Sequence, residues 1–329
     1  GLARRNNINE FVAGTLAGLA SNIPELVMLA FVLAATPQVG FIVTAVTLHV
    51  GAAAFGIYSA LLPRDERGAA AMPPPLVELS TDLYACAGSA FFTTGAIMVL
   101  MHVFGAGSHQ GEALGAYDLY ALGGALLFVE VVAVARLVKR FGGTDEKSVS
   151  ASEGKGFRAA PPPSVATIIG YGVLGVATSV LGGHAVGDFA DVLVATLAEA
   201  GYPRMVGALV LSLFASAGAL VMVASAHVKG MYDVALANAS GQVNQVPFVV
   251  MPVALIMLGI FGQTGVIPTT PNGGVLPIDL DATSVLLLGF PPMLILWKAI
   301  QDDGKVNWLE TATMVAIFGL TIYFLAVHG

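Results

Sequence analysis

The chain has 329 residues, of which 56% are hydrophobic and 11% charged, and its mean hydropathy is +0.82. A soluble domain carries roughly 25% charged residues, so water is not the main solvent here. The net charge of −7 comes with no basic cluster interleaved with aromatics, which argues against a nucleic-acid partner, and the single cysteine, Cys86, leaves no disulfide framework or thiolate metal site.

Apolar stretches of ~20 residues, enough to cross a ~30 Å hydrocarbon core, recur along the whole chain, so a cleaved signal peptide does not account for them. The apolar runs predict about nine transmembrane helices, near 8–35, 40–62, 76–105, 112–139, 164–199, 203–228, 231–261, 282–300 and 307–327. The expected fold class is therefore an all-α integral membrane protein, in contact with membrane lipid. Between the fourth and fifth helices, residues 141–163 carry Gly, Ser, Lys, Glu and Pro161-Pro162-Pro163, and read as the linker between two similar halves. Residues 263–281, with Pro268, Pro271, Asn272, Gly273, Gly274 and Pro277, read as a turn-rich loop outside the membrane.

Orientation follows from the lysines and arginines, which collect in cytoplasmic loops. Arg4, Arg5, Arg64, Arg67, Arg136, Lys139, Arg140, Lys147, Lys155, Arg158, Lys229, Lys298 and Lys305 fall on one side of the predicted helices, and Arg204 alone on the other. The linker is then cytoplasmic and the C-terminus external. The chain opens on Gly1 rather than Met, and further residues upstream are expected.

Ionisable groups inside a bilayer are costly and tend to line an ion site or a water-filled path. Glu25 stands mid-span in Ser21-Asn22-Ile23-Pro24-Glu25. Pro24 removes one backbone hydrogen bond, so a broken helix with freed carbonyls beside a carboxylate is expected, an arrangement that suits hard cations. The alternative is a kinked, packed helix with Glu25 neutral or hydrogen-bonded to Asn22. Asn238, Gln242 and Gln245 share one helical face around Gly241, either to complete a coordination shell or to tie helices together. Glu130, in an apolar run, is either a proton-path residue or a partner for a neighbouring helix. His184, Asp188 and Asp191 are spaced i, i+4, i+7 near an external helix end; they form a metal or proton-relay site or, with better reason, a solvated face. His49 suits a proton relay by its near-neutral pKa, or serves packing. Gly51, Gly241 and the pair Gly123-Gly124 are expected to permit close helix approach. Tyr84, Tyr117, Tyr120, Trp297 and Trp308 are expected to anchor the chain at the interface.

The run Asn9-Glu10-Phe11-Val12-Ala13-Gly14 leading into Ser21-Asn22-Ile23-Pro24-Glu25 resembles the first α-repeat of the Ca2+/cation antiporter superfamily, and Leu48-His49-Val50-Gly51 resembles the end of that repeat's second helix. Residues 235–245, Ala-Leu-Ala-Asn-Ala-Ser-Gly-Gln-Val-Asn-Gln, followed by Phe248-Val249-Val250-Met251-Pro252, are similar to the second α-repeat of the Ca2+/H+ exchanger branch, as is the stretch from Asp303 to Glu310 to the entry of its last helix. The resemblance implies an inverted-repeat antiporter fold lacking the first helix. Its first half would be 1–140, with an α-repeat near 8–62, and its second half 164–329, with an α-repeat near 203–261. It also implies a midplane site between two broken helices, and alternating access by sliding of an outer helix pair.

Each family repeat supplies a glutamate. Counting from Gly207 and Gly241, the second falls at Ala219, within Ala215-Ser216-Ala217-Gly218-Ala219, so that carboxylate is missing. Gly51-Ala52-Ala53 likewise stands where family members carry polar side chains. One carboxylate balances half a divalent charge, so a site of Glu25 with Asn22, Ser21, Ser216, Asn238, Gln242 and Gln245 would suit a monovalent cation, or a proton alternating with one. The expected function is a secondary antiporter exchanging Ca2+, Na+ or K+ for H+, with Glu25 holding the transported cation, His49, Glu130, His184 and Asp188 offering a proton path, and no bound cofactor. The alternatives are a Na+/Ca2+-type exchanger and a non-transporting family member with a structural or regulatory role. No HExxH, nucleophile elbow or phosphate loop is present, so an enzyme is not expected. The small loops suggest a bacterial inner membrane.

Overall fold

The computed structural model describes residues 10–104, 113–141, 164–277 and 279–328. The linker expected at 141–163 lies outside these residues except for Phe141. Among the described residues, nine helical spans are long and apolar enough to cross a membrane, and the chain is a multi-pass membrane protein.

In chain order the helices are α1 (Glu10–Ala35), α2 (Pro37–Ala60), α3 (Thr81–Phe104, entered through a π turn at Leu76–Ser80), α4 (Ala116–Phe141), α5 (Val165–Glu199), α6 (Arg204–Val228), α7 (Tyr232–Gln245), α8 (Met251–Thr264), α9 (Leu280–Leu287), α10 (Phe290–Gln301) and α11 (Trp308–His328). A π turn at Val246–Val250 joins α7 to α8, so the two make one span of the membrane. The local reasons are legible in the residues. Pro37 sits at the start of α2, where its missing N–H costs nothing. The hydroxyl of Ser164 and the carboxylate of Asp279 accept hydrogen bonds from the backbone N–H of Thr167 and Ala282, capping α5 and α9. Gly265, at φ 74°, closes α8 in the left-handed conformation.

The centre of the bundle is α2, whose membrane-spanning stretch is 83% buried within the protein, against 6% for α5. α2 packs on α6, α11, α7 and α1, and α7 in turn packs on α1 and α6. α5 rests mainly on α1 and leaves the rest of its surface exposed, including Ile169, Tyr171, Val173, Leu174 and Leu181. Two short ribbons mark the ends of the bundle. β1 (Ala70–Ala71) pairs antiparallel with β4 (Lys305–Val306), and β2 (Ala113–Gly115) with β3 (Gly274–Pro277).

The basic side of the sequence is built around the first ribbon. Arg64 donates to the carbonyls of Gly68, Val306 and Ser59 and to the Thr311 hydroxyl, at 2.8 to 3.1 Å, with its guanidinium 3.8 Å from the centre of the Trp308 ring. Lys305 meets Asp65 at 2.9 Å, and Arg140, at the end of α4, pairs with Glu78 at the entry to α3. Arg204, the lone basic residue of the other side, donates to Gln38 at 3.1 Å.

Four sequence expectations need correction. α1 is not broken at Pro24, because the helix runs on through it from Glu10 to Ala35; the interruption falls instead at Val246–Val250, which contains Pro247 and precedes Pro252. The span expected at 282–300 is two helices, since Gly289, Pro291 and Pro292 end α9 and start α10. Tyr84 is fully buried rather than interfacial. Of the two adjacent glycines, a Cβ at Gly123 would meet the Pro252 carbonyl oxygen at 2.8 Å, whereas nothing lies within 4 Å of one at Gly124, so Gly123 alone serves close approach.

Candidate ion site

Two glycines one turn apart on α1 bring it against α7. A Cβ at Gly14 would stand 2.7 Å from the Ala237 Cβ, and one at Gly18 would stand 3.1 Å from Gln245 Nε2 and 3.6 Å from Asn238 Oδ1. Such small-residue spacing is what lets helix backbones approach within a bilayer. The approach carries a polar join. Asn22 Nδ2 donates to Gln245 Oε1 at 3.0 Å, and Gln245 Nε2 donates to the Thr15 carbonyl at 3.4 Å. Asn238 turns its amide N–H back onto the Val234 carbonyl at 2.7 Å, which leaves its Oδ1 buried without a partner.

Where this face of α7 turns toward α6 and α2, the pattern repeats. Gln242 Nε2 donates to the Ser216 carbonyl on α6 at 3.3 Å, while Gln242 Oε1 and Ser216 Oγ have no hydrogen-bond partner. A Cβ at Gly51 of α2 would meet Gln242 Cβ at 3.2 Å, so Gly51 seats this side chain. Asn244 Oδ1 is also buried and unpartnered. α7 therefore presents three amide oxygens, of Asn238, Gln242 and Asn244, without a protein donor. Buried acceptors are ordinarily satisfied, and carbonyl-type oxygens are the ligands hard cations take.

Glu25 follows Asn22 by three residues on α1 and is half-buried. Among the described residues its carboxylate makes no hydrogen bond or ion pair, in contrast to the alternative in which it bonds Asn22. The next turn is covered by α5, where a Cβ at Gly183 would lie 3.0 Å from the Met28 nitrogen. Ser21 Oγ donates to the Gly18 carbonyl at 2.7 Å.

The other candidates fall elsewhere. His49 is buried with Nε2 at 3.2 Å from the Val285 carbonyl of α9 and Nδ1 unpartnered. His184 and Asp188 lie 3.5 Å apart on an exposed face, with the imidazole stacked on Phe31. Asp191 is exposed, and among the described residues no three His, Cys, Asp or Glu converge as a metal site. Glu130 of α4 is buried and lines a cleft with Ser240, Asn244 and Gln245. Sequence reasoning passed over Gly14, Gly18 and Asn244. The Gly-x-x-x-Gly spacing of the first two was the available signal, and Ser240 with Asn244, four apart, was the other.

Comparison with known proteins agrees with this architecture. The family model described as sodium/calcium exchanger protein matches residues 167–327. A Ca(2+)/H(+) antiporter from Aphanothece halophytica is 27% identical over 121 residues, which span 36% of this chain and 29% of that relative. The crystal structure of the H+/Ca2+ exchanger CAX aligns with 98% of this chain and 81% of its own at 12% identity, with a TM-score of 0.62. The sodium-calcium exchanger NCX_Mj, soaked with Na+ and Sr2+, aligns with 98% of this chain and 89% of its own at 14% identity and a TM-score of 0.58. Native YfkE aligns over 97% and 88% at 17% identity and a TM-score of 0.55. The second half of the chain is thus similar to the sodium/calcium exchanger family, and nearly its whole length has the fold of the exchangers CAX and NCX_Mj.

Proposed function

We propose that this protein is a secondary active antiporter of a bacterial inner membrane, exchanging a cation for protons at one midplane site that Glu25 serves. The observation that carries the reading is the Asn22–Gln245 hydrogen bond between the two halves, one turn from Glu25 and beside the unpartnered oxygens of Asn238 and Gln242. A proton and a cation competing for one carboxylate are coupled without a second site. The relatives' names, a Ca(2+)/H(+) antiporter and a sodium-calcium exchanger, support cation exchange as the class. The donor set supports a monovalent ion, because amide and hydroxyl oxygens add no charge to that of Glu25.

Ala219 favours a second reading, a family member that holds the fold without transporting. Cation-driven proton flux in proteoliposomes, measured for Ca2+, Na+ and K+ in turn, separates the two. Flux with Na+ or K+ exceeding that with Ca2+ is expected; silence with every cation, in protein shown to be folded, would establish the second reading.

A further inference from the structure

From Asn22 toward the start of α1, Thr15 lies seven residues and so about 10 Å nearer the basic end. There a small cleft opens between α1, the entry to α3, α4 and α7, with Thr15, Ser80, Glu130, Ser240 and Asn244 in its walls. Glu130 and Asn244 are only 8% and 6% exposed, and Glu130 Oε2 and Asn244 Oδ1 are both without a hydrogen-bond partner. Both atoms are acceptors when the carboxyl is ionised, so neither can satisfy the other. A proton on the carboxyl or a cation held between them would satisfy both.

Two of the wall hydroxyls are already engaged as donors. Thr15 Oγ1 donates to the Phe11 carbonyl at 3.1 Å and Ser240 Oγ to the Ala237 carbonyl at 3.4 Å, which leaves their lone pairs as further acceptors. On the side of the basic end, Val12, Leu79, Leu137 and Phe141 form a separate apolar cluster with Leu16 against it, and Leu79 and Leu137 also line the cleft. Apolar walls keep the local dielectric low and strengthen any charge interaction inside. An ionised carboxylate left alone there would be costly.

We propose that this cleft is a second cation site, separate from that of Glu25, in which the Glu130 carboxylate and the Asn244 amide oxygen take a hard monovalent cation such as Na+. One carboxylate balances one such charge, and α4 thereby supplies the second acidic group that α6 lacks at Ala219. The choice of ion rests on the antiporter reading, but the site is tested by binding rather than by transport.

The test is 22Na+ binding to the purified full chain in detergent, with Glu25→Gln as the background. A saturable site is expected to remain in Glu25→Gln, and its apparent Kd is expected to rise at least ten-fold when Glu130→Gln is added and several-fold with Asn244→Ala. Complete loss of binding in Glu25→Gln alone would overturn the proposal, as would binding unchanged by Glu130→Gln. Should the amide variant fail to fold, Glu130→Asp keeps the charge on a shorter stem. Weakened binding is then expected, and unchanged affinity would overturn the proposal. Flux absent with binding intact would count against the antiporter reading alone.

Discussion

Two carboxylates illustrate how differently this chain uses acidic groups. Asp65, in the loop between α2 and α3, accepts from the backbone N–H of Ala69 at 3.0 Å and from Lys305 at 2.9 Å, and the Ala69 N–H first, then Lys305, hold its pKa at about 2 against an ordinary 3.8. Protonation then favours the unfolded chain, so this group's contribution to stability is complete above about pH 4 and is lost as the pH falls toward 2. Asp65→Asn is expected to lower the unfolding temperature at pH 7, with the gap from wild type closing by about pH 2. A gap constant across that range would contradict the assignment. Glu25, by contrast, has no partner among the described residues, and a carboxylate in a bilayer without a fixed counter-charge is better explained by a mobile ion than by architecture. Glu25, Asn22 and the amide face of α7 were all legible in the sequence, since an ionisable group or a run of amides in apolar surroundings stands out by composition alone. The partners were not legible. Nothing in the chain order says that Asn22 meets Gln245, or that Glu130 and Asn244 line one cleft, because both depend on how helices far apart in sequence pack.

At the scale of elements, glycine and proline did the deciding. The number of spans was readable from apolar length, but the location of the break was not. Pro24 and Pro247 look alike in sequence, and only the latter stands in a non-α turn. A proline removes one hydrogen bond wherever it sits in a helix, and packing decides whether the backbone then widens or runs on. Glycine is equally position-dependent. At Gly18 an added methyl would press on Gln245, at Gly124 it would meet nothing, and overpacking typically costs about 1–3 kcal/mol. Gly18→Ala is expected to leave the protein folded in detergent but to cut flux by roughly ten-fold or more, about 1.4 kcal/mol, whereas Gly124→Ala is expected to match wild type. Equal activity of the two variants would show that the α1–α7 approach is not part of the site.

For the whole molecule, the placement of charge and burial makes one picture. Basic residues gather around the β1–β4 ribbon, the most buried helix, α2, lies against α7, and the unpartnered amide oxygens lie along α7. α5, exposed over most of its length, covers the turn of α1 that follows Glu25. Under the proposed exchange one acidic group serves the site, and Ala219 then bears on which ion is carried. The most direct measurement is cation-driven proton flux in proteoliposomes containing wild type, Glu25→Asp or Glu25→Gln. If Glu25 is the shared group, Glu25→Gln should lose at least ~100-fold of the flux, about 2.7 kcal/mol, and Glu25→Asp should retain a measurable part. Exchange at the wild-type rate in Glu25→Gln would contradict the account and move the exchange site away from α1.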